Sequence, residues 1–134
     1  MTTMTLMMTK MMSGKNNNDG IGDFTSPLTH LFNKQIEFQK KIVDKESFPI
    51  DDVNWFKYHM LAIQEELGEL LKSDKRWKTH RNYHYDPDNK KEEIADVFVS
   101  LINICLFSGV DALELERITL NKINENIRRK EENK

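Results

Sequence analysis

The sequence is short of cysteine, glycine and proline, and it shows no clear alternation of polar and apolar residues. Its single cysteine, Cys105, cannot form a disulfide within the chain or build a cysteine zinc site. We therefore expect a reducing, cytoplasmic compartment and a thiol buried in the core. Five glycines and three prolines among 134 residues favour helices. This length suffices for one compact domain and not for two.

Neither sign of charge predominates, because Lys and Arg number 20 and Asp and Glu number 22. This balance demands no membrane partner and makes a nucleic-acid partner unexpected. Residues 1–26 lack the continuous apolar stretch of a secretory signal or a membrane span. We expect a disordered tail there, or a start codon placed too early; an organelle-targeting leader is the weaker alternative, since arginine is absent. The predicted domain spans residues 27–130, followed by a tail at 131–134.

Apolar spacing and capping residues predict four helices with short connections. The predicted helices run from Pro27 to Val43 with Ser26 as cap, from a cap at Asp51 or Asp52 to Ser73, from a cap at Asp88 to Ser108, and from Asp111 to about Lys130. Asp111 and Glu114 can form a capping box, and Gly109 is a natural stop for the preceding helix. The sequence therefore predicts an all-α fold that resembles a four-helix bundle.

Each predicted helix carries apolar positions that need burial. The stripe on the first helix consists of Leu28, Leu31, Phe32, Ile36, Phe38 and Ile42. The stripe on the second helix consists of Phe56, Met60, Ile63, Leu67 and Leu70. The stripe on the fourth helix consists of Leu113, Leu120, Ile123 and Ile127. The third helix is apolar almost all round between Val97 and Phe107, which is typical of a buried helix. Gly68, inside the second helix, suggests a close backbone approach. So small a domain has limited interior, so the stripes on the first and fourth helices predict an interface with another subunit.

Two pairs of carboxylates stand out. Glu66 and Glu69 are three residues apart, so they share one face of the second helix, and Glu93 and Asp96 repeat that spacing on the third. Facing carboxylates repel each other unless a hard cation such as Mg²⁺ or Mn²⁺ lies between them. The alternative is four separate solvated side chains. A di-iron site is disfavoured, because neither helix has the histidine that such sites place three residues after glutamate.

These segments resemble a known family. EELGELLKSDKRWK (65–78), followed by KEEIADVFVSLINI (91–104), resembles the MazG-like nucleotide pyrophosphatases and their relatives, the dCTP pyrophosphatases and the dimeric dUTPases. The family pattern is ExxE, a spacer with an aromatic residue and a lysine, and then ExxD. A third block, KINENIRR (122–129), is similar to the Lys, Asn and Arg element of the family.

The resemblance implies an all-α, oligomeric, magnesium-dependent enzyme that hydrolyses a nucleoside triphosphate to the monophosphate and pyrophosphate, in nucleotide-pool control or sanitation. Mn²⁺ is expected to substitute for Mg²⁺. The implied catalytic and metal-binding residues are Glu66, Glu69, Glu93 and Asp96. The implied phosphate-binding residues are Lys78, Lys122, Asn126 and Arg129. The residues expected at the base are Gln35, Trp55, His59, Trp77, Ser100 and Asn103.

Some positions depart from both groups of relatives. Dimeric dUTPases usually have a further carboxylate and a histidine where this chain has Ser73 and Val99, and dCTP pyrophosphatases have a tyrosine in place of Ser100. Gln35 is similar to the glutamine with which dimeric dUTPases touch uracil. The resemblance therefore leaves dUTP and dCTP open as substrates.

Two alternatives remain at this stage. The basic and aromatic loop at 75–85 is compatible with a nucleic-acid patch or with a solvated loop that is anchored by Trp77. The whole chain is compatible with a non-catalytic all-α interaction or regulatory protein that has kept the fold.

Overall fold

A computed structural model describes residues 26–43, 52–80 and 82–133. Within these ranges the chain forms four α-helices and no strand: α1 (Pro27–Val43), α2 (Asp52–Ser73), α3 (Pro87–Leu106) and α4 (Ala112–Glu132). The predicted all-α, four-helix fold is thus confirmed. Residues 1–25 of the tail predicted at 1–26 and the possible cap at Asp51 lie outside the described residues. None of the described helices is long and apolar enough to cross a membrane.

Local side-chain chemistry fixes where two helices begin. Ser26 Oγ accepts a hydrogen bond from the Thr29 backbone N–H at 3.2 Å, which caps α1. Asp111 Oδ1 accepts from the Glu114 N–H at 2.8 Å, which caps α4. Both caps were predicted from the sequence, and both are confirmed.

The start of α3 differs from the prediction. Asp86, not Asp88, caps the helix, because Asp86 Oδ1 accepts from the N–H groups of Asp88 and Asn89 at 3.0 and 3.3 Å. Pro87 explains the shift: its fixed φ and missing N–H suit the first helical position, so the cap is the residue before it. The helix ends at Leu106, two residues earlier than expected, and Gly109 follows it with a φ of 73°.

The core lies where α1, α3 and the start of α4 meet the first turn of α2. It consists of Phe32, Ile36, Trp55, Ile102, Cys105, Leu106, Phe107 and Ala112. Cys105 is buried there as expected, and burial raises the pKa of its thiol. α2 packs mainly against α3, while α1 packs against α3 and α4.

The predicted apolar stripes are only partly buried in a single copy of the chain. Residues predicted to be buried that are exposed instead are Leu31 and Phe38 on α1, and Phe56, Met60 and Leu67 on α2. α3 is also less enclosed than expected, since Phe98, Val99 and Leu101 are exposed. The α4 stripe of Leu113, Leu120, Ile123 and Ile127 lies on the surface.

Gly68 has no close neighbour among the described residues. A Cβ built at this position meets none of their atoms within 4 Å, so this part of the chain does not provide the close backbone approach expected there.

Candidate active site

Three of the four predicted metal ligands come together between α2 and α3. One carboxylate oxygen from each of Glu66, Glu93 and Asp96 lies within 4.8 Å of the other two. Glu69 shares the face of Glu66, but its carboxylate lies 3.7 Å from Lys72 Nζ and outside this three-carboxylate cluster. The structure therefore brings together three of the four carboxylates that the i, i+3 spacing singled out.

The electrostatics of the cluster suit a cation. Partial burial, followed by the nearby negative charges of Asp96 and Glu93, raises the pKa of Glu66. Three carboxylates held this close repel one another, and a hard divalent cation offsets that repulsion while accepting oxygen ligands from all three. The donor set therefore fits Mg²⁺ or Mn²⁺.

A cavity of about 520 Å³ opens beside the cluster, with Glu66 and Asp96 in its wall. Five of the six residues expected at a base also line this cavity: Gln35, Trp55, His59, Ser100 and Asn103. Six further lining residues were not predicted for it: Phe38, Gln39, Ile42, Tyr58, Ala62 and Val99. Carboxylates at one end and mostly apolar, aromatic and amide groups at the other give the cavity two chemically distinct halves.

A network of side-chain amides organises the second half. Gln35 Nε2 and Gln39 Nε2 both donate to Asn103 Oδ1, at 2.7 and 2.9 Å. Because Asn103 Oδ1 accepts both bonds, the Nδ2 of the same amide group is its donor atom. Gln39 is almost fully buried, and its Oε1 has no hydrogen-bond partner among the described residues. The network thus contains a buried acceptor on Gln39 and an amide donor on Asn103.

Aromatic rings enclose His59. Its imidazole stacks on Trp55 with ring centroids 5.8 Å apart and lies 4.6 Å from the Phe107 ring. Burial lowers its pKa to about 4, so the ring is neutral at pH 7. His59 Nε2 is buried and has no partner within the described part of the chain. A neutral imidazole of this kind can offer one further polar contact in the cavity.

The remaining predicted site residues lie outside the cavity wall. Trp77 is exposed, and Lys78 Nζ lies 5.2 Å from the centre of its ring. On α4, Lys122 and Arg129 both pair with Glu125, at 3.8 and 2.6 Å. Asn126, between them, is exposed. The residues that line the cavity include no lysine or arginine.

Gln39 is the main functional residue that sequence reasoning missed. It follows Gln35 by four residues, so both amides lie on one face of α1. A second glutamine at that spacing, between apolar positions, was the available signal. Its partner Asn103 is far away in sequence, so the helix pattern alone does not reveal it.

The chain was compared with known proteins. A family model described as dUTPase matches residues 27–133, a span that contains all four helices. No curated protein and no solved structure matches the chain. The family model supports the dUTPase part of the resemblance. The similarity to the MazG-like nucleotide pyrophosphatases rests on the sequence motifs alone. The membership implies nucleoside triphosphate diphosphatase activity in broad terms. Together with the helical fold and the carboxylate cluster, the match shows that this chain belongs to the all-α dUTPase family.

Proposed function

We propose that the protein hydrolyses dUTP to dUMP and pyrophosphate with Mg²⁺ at the three-carboxylate cluster. In this reaction, water adds its oxygen to the α-phosphorus, the bond from that phosphorus to the bridging oxygen breaks, and pyrophosphate leaves. One proton is released as the water oxygen becomes part of dUMP. The observation that carries the proposal is the carboxylate cluster that opens into a cavity with a buried amide network.

Glu66, Glu93 and Asp96 are the residues that would hold the cation. When bound, Mg²⁺ supplies positive charge to the phosphate oxygens and lowers the pKa of coordinated water. Glu69 lies one helical turn from Glu66 on the same face of α2, and its ion pair with Lys72 is exposed to solvent and therefore a weak restraint on its carboxylate. We therefore keep it in the proposed ligand set.

The amide network supports a pyrimidine base. Uracil carries an N3–H donor beside carbonyl acceptors, which match the Gln39 Oε1 acceptor and the Asn103 Nδ2 donor. Trp55 and His59 give flat faces on which a base can pack. The uracil assignment takes further support from the family match.

Cytosine is the second candidate base. Its N4 amino group is a donor and its N3 an acceptor, so the same acceptor and donor pair on the protein can bind it in a shifted position. The chain also lacks the histidine that dimeric dUTPases carry after the ExxD motif, where it has Val99. dCTP therefore belongs in every substrate assay.

The basic side chains that contact the triphosphate have to come from outside the cavity wall, which contains no lysine or arginine. Lys78 and the α4 residues Lys122, Asn126 and Arg129 remain the proposed phosphate contacts. α4 exposes its apolar stripe, so pairing of two copies would bury that stripe and can bring α4 of one copy towards the site of another. We propose a homodimer or a homotetramer on this basis, and the expected cytoplasmic location stays part of the proposal.

A substrate panel in water enriched in oxygen-18 tests the function. The protein is incubated with Mg²⁺ and dUTP, dCTP, dTTP, dATP, dGTP or UTP, and the products are resolved by ion-exchange chromatography and mass spectrometry. We expect dUTP to be turned over fastest, with the label in dUMP and none in pyrophosphate. The Glu93→Gln protein is the control for contaminating activity.

Two outcomes of that panel contradict the proposal. Release of orthophosphate and dUDP would place the attack at the γ-phosphorus. No turnover of any triphosphate would favour the alternative of a non-catalytic all-α protein.

A further inference from the structure

The connection between α2 and α3 contains an ion pair that links the two helices. Asp74 is the first residue after α2, and Lys90 lies in the first turn of α3. Lys90 Nζ donates to Asp74 Oδ2 at 2.8 Å. The Asp74 side chain is only 17% exposed, which distinguishes this pair from the solvated ion pairs on the same helices. The contact therefore joins the ends of the two helices that carry the carboxylate cluster.

A second cation completes the arrangement around Asp74. Arg76 Nε donates to Asp74 Oδ1 and its terminal nitrogen donates to Oδ2, both at 2.8 Å. The Arg76 guanidinium also stacks on the Tyr85 ring at 3.8 Å, and Lys90 Nζ lies 5.6 Å from the same ring. These hydrogen bonds hold the pKa of Asp74 well below its usual range. Asp74 is consequently ionised at neutral pH and engages both neighbouring cations.

Lys90 lies close in sequence to Glu93, a member of the three-carboxylate cluster. Glu93 follows Lys90 by three residues, so the two side chains lie one helical turn apart and are within reach of each other. Without Asp74, the Lys90 ammonium is free to turn towards Glu93, the acidic residue one helical turn further along α3. An ammonium bound there would neutralise a cluster carboxylate and repel a divalent cation.

We propose that Asp74 is a positioning residue, which holds the Lys90 ammonium away from Glu93 and so leaves the three-carboxylate cluster free for its cation. This inference rests on the magnesium site of the proposed function. Asp74 touches neither the substrate nor the metal in this role. It acts through the side chain of Lys90.

Calorimetric titration of the protein with Mn²⁺ tests the role without any substrate. Asp74→Asn keeps the volume of the side chain and removes its charge. We expect its Mn²⁺ dissociation constant to rise about tenfold, the lower end of the effect of residues that orient metal ligands. In turnover assays, the Mg²⁺ concentration for half-maximal rate should rise by the same factor, while kcat at saturating Mg²⁺ stays within twofold.

A double variant distinguishes the effect of a released Lys90 ammonium from the loss of a structural ion pair. Replacing the ammonium as well, in Asp74→Asn/Lys90→Gln, should restore Mn²⁺ affinity to within about twofold of the wild type, because the cation one helical turn from Glu93 is then gone. A merely structural ion pair would leave the double variant as weak as the single one, or weaker. That result would overturn the inference.

A matched control removes the same charge from the first turn of α3, where Lys90 also lies. Asp88 pairs with Lys91 at 3.7 Å, and both side chains are well exposed. Asp88→Asn should leave Mn²⁺ affinity unchanged, and an effect as large as that of Asp74→Asn would overturn the inference. A wild-type protein that binds no Mn²⁺ would overturn the magnesium site and this inference together. Normal Mn²⁺ binding by Asp74→Asn would overturn this inference alone.

Discussion

Gln35 on α1 donates a hydrogen bond to Asn103 on α3 over 2.7 Å, although 68 positions separate the two residues in sequence. Asn103 also accepts from Gln39, so a single side-chain oxygen ties α1 to α3 at two points. The same amide network lines the proposed base pocket. Stability of the α1–α3 contact and the proposed recognition of the base therefore depend on the same atoms.

Removal of the shared acceptor is expected to destabilise the protein. In Asn103→Ala, the buried Nε2 of Gln39 loses its partner, which costs about 1–3 kcal/mol of unfolding free energy. KM for dUTP should rise as well, because the donor for the base is lost. Urea unfolding and steady-state kinetics measure the two effects. Asn121→Ala on exposed α4 is the control and should change stability by less than about 0.5 kcal/mol.

His59 should make stability depend on pH in a defined window. Burial lowers its pKa in the folded state from the usual 6.5 to about 4, so the unfolded state takes up a proton first as the pH falls. The stability contribution of the neutral ring is complete above pH 6.5 and is lost progressively down to about pH 4. The loss amounts to at most about 3 kcal/mol.

The His59→Phe variant isolates this contribution, since phenylalanine fits among aromatic rings and cannot titrate. We expect the difference in unfolding free energy between wild type and variant to change across this window, and to be constant above pH 7. The exposed His84, changed to Gln, is the control and should leave the pH profile unchanged. A wild-type profile that matched His59→Phe throughout would contradict the prediction.

Substitution of a carboxylate in the cluster should lower activity without lowering stability. Asp96→Asn or Glu93→Gln is expected to lower kcat by about two orders of magnitude while the fold survives, because a metal ligand is lost and side-chain volume is kept. Without metal, the unfolding temperature should stay the same or rise, since repulsion within the cluster falls. Glu92→Gln, one position away and exposed, is the matched control. Full activity in excess EDTA would contradict the metal requirement.

Gly68 offers a stabilising substitution that also reports on assembly. Alanine has the higher helix propensity, and a Cβ meets nothing within 4 Å in the single chain, so Gly68→Ala should stabilise α2 by up to about 1 kcal/mol. Differential scanning calorimetry should then show a higher unfolding temperature. A lower temperature, together with weaker self-association, would mean that another copy packs closely against this glycine.

Local chemistry explains which parts of the molecule could be predicted from sequence. The caps Ser26 and Asp111 act on N–H groups three residues away, so the sequence is enough to place them. The i, i+3 spacing likewise placed Glu93 and Asp96 on one face of α3. Gln39 was missed because a polar residue is recognised as buried only once its distant partner is known.

The contacts within the connection between α2 and α3 also could not be predicted from the spacing of apolar residues. A loop has no repeating pattern, so nothing in the sequence indicated that Asp74 contacts Lys90. The exposed apolar residues follow from a different cause. Apolar spacing predicts that Leu67 and Ile123 prefer burial, but it does not say whether the partner surface belongs to the same copy of the chain.

The α4 stripe gives the sharpest test of assembly. Ile123 is half-exposed in the single chain, with Leu120 and Ile127 beside it on the same face. If a second copy covers this face, then Ile123→Lys should shift the protein to a monomer in light scattering and lower its unfolding temperature, because burial of a lysine there is costly. Asn124→Lys adds the same charge at the next exposed position and should leave the assembly intact. Loss of kcat/KM in parallel with dissociation would indicate that the site needs residues from both copies. A monomeric wild-type protein with full activity at micromolar concentration would refute the assembly.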